Sequence, residues 1–419
     1  MGRNKLLCIT LLMGLAGFFG GRAFASETFT LYPVAQLNEY YSDNILLSSE
    51  TRQSDWVTAG LLGFYLGMDG PTRSGGFAYE TTFQEYINHP TNDSFGGGQY
   101  FQLWEEEHLS RFTTIRTIDS FLYANGLQGG LLNGGPPVFN TQLVRSLLSF
   151  NNRTLSNYFT TEIEHEFNAD WSGTVGLHQH FFVVNKSLQG DGNSYGFSQS
   201  FSSEASYKLL SDLNVGPGFD LIDFRTSGGS LAGSGSTVPV EAYYPFGHLM
   251  WTPVERFFLS LASGPIILHE FGGSDSTQVK PGGLGIANYS KFPWDVTLDG
   301  GQQPSLIAGF GLVRSARGRV RYNLTQNLSS FAGISYIELI GTDINGTITT
   351  YTGGLQYKAF TWLNLYVQYL RVEKVITASP SQTAFTLAAF GLPPGRSATA
   401  NIYIVGASVG FPAFKWSMF

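Results

Sequence analysis

Charge is scarce in this chain. Asp, Glu, Lys and Arg make up 13% of 419 residues, and the formal balance is -7. Such a composition offers no basic surface for nucleic acid, which needs clustered Lys and Arg to neutralise phosphates. Cysteine is limited to Cys8, and removal of an N-terminal leader would leave no disulfide and no thiol chemistry. Beyond that leader no stretch approaches about 18 uninterrupted apolar residues, which excludes a helical membrane span. The sequence also lacks a phosphate-cradling glycine loop and a Cys/His cluster at metal-ligand spacing, so no cofactor is expected.

What remains is rich in glycine and aromatic residues. Glycine occurs 51 times, well above the roughly 7% usual in soluble proteins, and aromatics reach 15%. The N-terminus supplies a compartment. Arg3 and Lys5 precede an apolar run from Leu6 to Gly20, and Ala23-Phe24-Ala25 gives the small-x-small pattern read by a signal peptidase before Ser26. Residues 1–25 read as a signal peptide and 26–419 as the exported chain.

Apolar and polar side chains then alternate with the period of a strand. In the segment from Thr349 to Ala359, Tyr351, Gly353, Leu355 and Tyr357 share one face, and Thr350, Thr352, Gly354, Gln356 and Lys358 share the other. The next segment repeats the pattern, with Leu363, Leu365, Val367 and Tyr369 against Asn364, Tyr366 and Gln368. Three short polar turns are bracketed by a Tyr and a Leu six residues apart: Tyr207/Leu213, Tyr322/Leu328 and Tyr357/Leu363. Tyrosines beside turns suit an interfacial aromatic girdle. A soluble sandwich would need a second sheet over every apolar face. In a bilayer every backbone N–H and C=O needs a partner, so one-sided strands can span only as a closed barrel.

The expectation is an all-β fold, a transmembrane antiparallel up-and-down β-barrel of about sixteen strands, with fourteen to eighteen allowed, in the bacterial outer membrane. Short turns alternate with long loops, placing the turns near Asp170, Asp212, Gln326 and Phe360 in the periplasm. Two long outer loops are predicted, 124–152 and 269–303, putting Gly130 and Gly283 outside; either loop could constrict the pore. Lipid, a hydrophilic solute or polysaccharide, and the outer-membrane assembly machinery are the expected partners.

The opening of the exported chain, Pro33 to Leu47, PVAQLNEYYSDNILL, resembles the first strand of the outer-membrane β-barrel porins associated with exopolysaccharide loci. There an aromatic, a polar residue and Asp-Asn-Ile/Val precede the first outer loop. The resemblance covers about fifteen residues. It implies a passive outer-membrane channel serving polymer export, and it transfers no catalytic residue.

Three sets of residues could line such a channel. Glu162, Glu164 and Glu166 share one face of a strand, and Arg317, Arg319 and Arg321 share one face of another, about six strands away in a count of sixteen. Either the two rows set a transverse field across the lumen, or neighbouring strands neutralise each locally. His178 and His180 point to one side of their strand; two imidazoles can begin a metal site, but no third ligand is evident, and pore-lining polar residues are the alternative. The leading functional expectation is a channel for hydrophilic solutes or a secreted polymer, and not an enzyme. An outer-membrane hydrolase acting on lipid or peptide and a structural barrel are the alternatives. A hydrolase would need nucleophile, base and orienting group converging at one rim, and no such set can be assembled from the strand positions.

Overall fold

A computed structural model describes residues 27–45, 52–125, 153–185, 193–227, 240–270, 276–304, 312–340, 344–378, 397–410 and 414–417. The signal-peptide segment and residue 130 lie outside the described residues. The strands come as hairpins. After β1 (Thr28–Ser42) follow β2 (Asp55–Asp69) with β3 (Arg73–Tyr86), β4 (Ser94–Ser110) with β5 (Thr113–Asn125), and β6 (Arg153–Glu166) with β7 (Trp171–Asn185). Next are β8 (Asn193–Leu210) with β9 (Leu213–Ser227), β10 (Val240–Val254) with β11 (Phe257–Glu270), and β12 (Ser276–Lys291) with β13 (Trp294–Pro304). The series ends with β14 (Leu312–Asn323) and β15 (Leu328–Ile340), β16 (Ile344–Phe360) and β17 (Leu363–Ala378), then β18 (Ser397–Gly410) and the short β19 (Phe414–Ser417).

Each strand from β2 to β18 pairs antiparallel with its predecessor, and β1 pairs with both β2 and β18, from Val34 opposite Gly410 to Ser42 opposite Ile402. Eighteen strands thus close the sheet, while β19 continues the edge of β1 between Thr28 and Leu31. Closure leaves no unpaired edge for lipid to meet.

The strand count is eighteen because the segment read as an outer loop, 269–303, contains a hairpin. Residues of β12 pair with β11 from Ser276 to Tyr289, and β13 pairs with β14 along its whole length. Gly283 is therefore in mid-strand and not in an external loop. The pattern hid β12 because its faces are inverted: Gly283, Gly285 and Ala287 face lipid, while Leu284 and Ile286 face inward.

Cross-strand register fixes the faces. Leu355 lies opposite Val367, Tyr357 opposite Leu365, and Val367 opposite Val405, and these side chains are 41–59% exposed in the isolated chain. No soluble barrel leaves so long a run of exposed Leu, Val and Tyr; here they form the lipid face. Aromatic pairs mark the rim of short turns: Trp171 with Tyr207 at 4.8 Å between ring centroids, Trp294 with Tyr322 at 4.6 Å, and Phe360 stacked on Trp362 at 5.3 Å. The closed sheet, apolar exterior and aromatic rim make this chain a bacterial outer-membrane β-barrel.

The Asp-Asn pair in the opening segment holds the barrel's seam. Asp43 accepts hydrogen bonds from the Asn401 backbone N–H and side-chain amide, both at 2.7 Å, and Asn44 donates to the Thr399 carbonyl at 3.1 Å. These contacts tie the end of β1 to the start of β18, where closure depends on residues far apart in sequence. Nearby, the buried Asp55 carboxylate accepts from the N–H groups of Trp56 and Asn88 and meets Nδ1 of His89 at 2.8 Å, anchoring the connection between β3 and β4.

Candidate functional site in the barrel lumen

Parity carries the predicted charge rows to the inner face. Glu162, Glu164 and Glu166 sit opposite Gly176, Thr174 and Ser172 of β7, all on the face opposite the lipid-facing Ile163 and Val175. Arg317, Arg319 and Arg321 sit opposite Ser335, Gly333 and Phe331 of β15, away from lipid-facing Ile334. The rows stand on β6 and β14, eight strands apart in a ring of eighteen, rather than six in sixteen. The walls they occupy are nearly opposite.

Neighbouring strands neutralise part of each row. Arg317 Nε donates to Asp299 Oδ2 at 2.7 Å, and Asp295 lies in register with Arg321. Across the lumen, Arg116 on β5 bridges Glu164 at 2.7 Å and Glu106 at 2.8 Å. Glu204 and Asp220 add two carboxylates on β8 and β9, with His248 Nε2 3.3 Å from Glu204. Arg319 forms no hydrogen bond or ion pair among the described residues, and Arg321 Nε is buried without a partner. Pairing removes some of each row's charge, and an acidic wall and a basic wall remain.

Asp295, Asp299 and Arg116 were not singled out in the sequence. The first two belong to the segment taken for a loop, although the alternation Trp294-Asp295-Val296-Thr297-Leu298-Asp299 carries the strand period and could have revealed them. Arg116 becomes meaningful only once register places it beside Glu162 and Glu164.

His178 and His180 also face inward. His178 meets Thr160 Oγ1 at 2.6 Å through Nδ1 and Ser202 Oγ at 3.1 Å through Nε2, whereas buried His180 meets Ser156 Oγ at 3.0 Å. Hydroxyl oxygens hold the His178 ring, and the Glu162 side chain lies beside it across Gly176. No group of three His, Cys, Asp or Glu side chains with metal-holding geometry occurs among the described residues. The Ser202–His178 contact supplies two members of a hydrolytic set, but Nδ1 faces a threonine. The residues flanking this contact are paired in the sheet on both sides.

The lumen changes character along its axis, which the alternation did not reveal. Toward the strand ends remote from the short turns the inward side chains are buried, both apolar (Tyr40, Val57, Leu122, Phe224, Leu339) and polar (Ser42, Gln84, Ser120, His180, Lys374), each at most 8% exposed. Toward the short-turn rim the inward side chains are polar and reachable: Glu166, Lys208, Asp295, Arg319 and Lys358 are exposed. A charged, reachable mouth at the short-turn rim gives way to a buried wall of mixed polar and apolar side chains toward the other end.

No family model matches the chain, and no curated protein matches it. Solved structures similar to it include OccK3 (OpdO) of Pseudomonas aeruginosa, 11% identical over 91% of this chain and 96% of that one, with a TM-score of 0.45. The outer membrane protein opdK of Pseudomonas aeruginosa is 11% identical over 94% and 100% of the two chains, at a TM-score of 0.42. The ferric citrate transporter FecA in its unliganded form is 8% identical over 93% and 79%, at a TM-score of 0.47.

Proposed function

We propose that the protein is an outer-membrane channel that passes hydrophilic, charged solutes through a lumen whose short-turn mouth is charged. The observation that carries this reading is the inward placement of two charge rows on nearly opposite walls. Charged side chains facing a membrane interior are expensive and are kept where water and solute can meet them. Low-dielectric walls focus their potential onto whatever enters. An eighteen-stranded ring has the girth to enclose an aqueous lumen.

Passage of a secreted polysaccharide extends the same reading. It rests on the resemblance of Pro33 to Leu47 and on aromatic side chains in the inner wall: the ring tip of Phe331 lies over Gly354, and the Tyr366 phenol lies over Gly406 and bonds Gln36 and Asn38. Flat apolar faces flanked by amides are suited to sugar rings.

Reversal potentials across a salt gradient test the channel reading. Replacing Arg317, Arg319 and Arg321 together with Gln should shift selectivity toward cations, and replacing Glu162, Glu164 and Glu166 with Gln should shift it toward anions. Unchanged selectivity in both folded variants would mean that the rows are neutralised within the wall.

A further inference from the structure

We infer that the inner face of β8 to β10 holds a binding site for an organic ammonium ion, with Glu204 and Asp220 as its carboxylate contacts and Phe246 as its aromatic contact. The inference rests on the channel reading and names the solute class that the acidic wall takes.

The two carboxylates are short of donors. Both lie on the face opposite lipid-facing Phe201 and Leu221. Asp220 forms no hydrogen bond or ion pair among the described residues, and Glu204 has only His248, whose Nε2 stands 3.3 Å from Oε1. That imidazole is 8% exposed, and neither of its ring nitrogens makes a hydrogen bond. Glu204 sits opposite Gly218, two residues before Asp220, so the acids are diagonal neighbours with Cα atoms about 7–8 Å apart. On the inner face of β7 to β11, Lys208 is the only Lys or Arg among the described residues, four positions from Glu204 and about 13 Å away along the strand. Two like charges this close repel, and a cation between them removes that cost. With His248 protonated, two carboxylates against one imidazolium still leave a negative charge uncompensated.

An aromatic ring lies beside both acids. Phe246 is in register with Gly218, and its ring tip occupies the space that a Cβ would take there. His248 covers Gly216 in the same way, with Cε1 2.9 Å from an added Cβ. Glycine at both positions lets the β10 side chains reach across β9 toward Glu204. Tyr244 stacks on Phe246 with ring centroids 5.0 Å apart, which steadies the ring. An ammonium group gains from an aromatic face within about 6 Å and from carboxylates that accept its N–H groups. A bare metal ion needs a shell of oxygen or nitrogen ligands instead, and no metal-holding group of three occurs among the described residues. The Glu204 side chain is 37% exposed, and Asp220 and Phe246 are partly exposed, so a solute in the lumen reaches all three.

Saturation-transfer NMR titration of n-butylammonium against the folded protein in non-ionic detergent micelles at low salt tests the site. The neutral control is n-butanol, the competitor is sodium chloride, and heat-modifiable gel migration confirms the fold of each variant. Saturable binding of n-butylammonium, and not of n-butanol, is expected. Asp220→Asn and Glu204→Gln should each weaken it about tenfold, the loss of a charge-assisted contact. Phe246→Leu should weaken it about two- to fivefold, the loss of a cation–π contact, and Glu241→Gln, on the outer face of β10, should change nothing. Absence of saturable binding, equal binding of n-butanol, or unaltered affinity in either carboxylate variant would overturn the proposal. Displacement by an equal concentration of sodium, or an unaltered Phe246→Leu variant, would overturn its organic component. Micelle binding requires no ion flow: a protein that conducts but does not bind refutes the site alone, and one that binds but does not conduct refutes the channel alone.

Discussion

Placing one charge on the lipid face should cost far more than placing it one residue away. Leu355 lies five positions before Phe360 at the short-turn rim and faces outward between Ser330 and Val367, 49% exposed in the isolated chain. A strand rising about 3.4 Å per residue and tilted roughly 40° climbs about 2.6 Å along the barrel axis per residue, putting Leu355 some 13 Å above the rim. That is the middle of an apolar band about 25 Å tall, where an arginine costs roughly 2–4 kcal/mol. At about 1.4 kcal/mol per decade, the folding equilibrium of Leu355→Arg should fall roughly 30- to 700-fold. Gln356 faces the lumen between Ser329 and Tyr366, so Gln356→Arg should remain within about 1 kcal/mol of the parent. Guanidinium titrations of refolding into phosphatidylcholine vesicles, followed by tryptophan emission, give both values. Equal losses for the two variants would refute the face assignment and the membrane-spanning register with it.

Other consequences are as specific. Single cysteines at Asp212 or Pro293, introduced after Cys8→Ser, should resist an impermeant thiol reagent on intact cells, while one at Asn92 should react; the reverse pattern would invert the topology. Asp55→Ala removes the acceptor of the Trp56 and Asn88 N–H groups and the partner of His89, and should destabilise the barrel by about 1.5–3 kcal/mol in equilibrium unfolding. Gly354→Val drives a side chain into the Val367 carbonyl and the Phe331 ring and should lower the yield of heat-modifiable barrel, whereas Gly247→Ala, with nothing within 4 Å of an added Cβ, should not. Any selectivity set by the charge rows should fade in 1 M salt, where the Debye length is about 3 Å; persistence there would point to paired, desolvated charges.

Where alternation was strict the sequence was legible. From Tyr351 to Tyr357 and from Leu363 to Tyr369, β16 and β17 place Leu, Val and most Tyr outward and the polar side chains inward, with Tyr366 as the inward exception. β12 was not legible, although β13 carries the strand period, because the lipid can be met by glycine and alanine when the strand turns Leu284 and Ile286 inward. Rows of like charge survive translation to the structure because parity is a local property. Their partners Asp299, Asp295 and Arg116 do not, because register between strands is set by turns and shear rather than by any one strand's pattern. The buried inner wall was hidden for a related reason. Apolar residues on the inner parity near strand ends look like lapses in alternation until the closed sheet shows them facing one another.

Purified protein in a planar bilayer tests the central claim most directly. A channel with a charged mouth and a buried inner wall beyond it should give discrete ion-permeable steps, smaller than those of an open tube of eighteen strands, with a reversal potential that moves in opposite directions in the Arg and Glu triple variants. Folded protein that inserts yet never conducts would contradict the account.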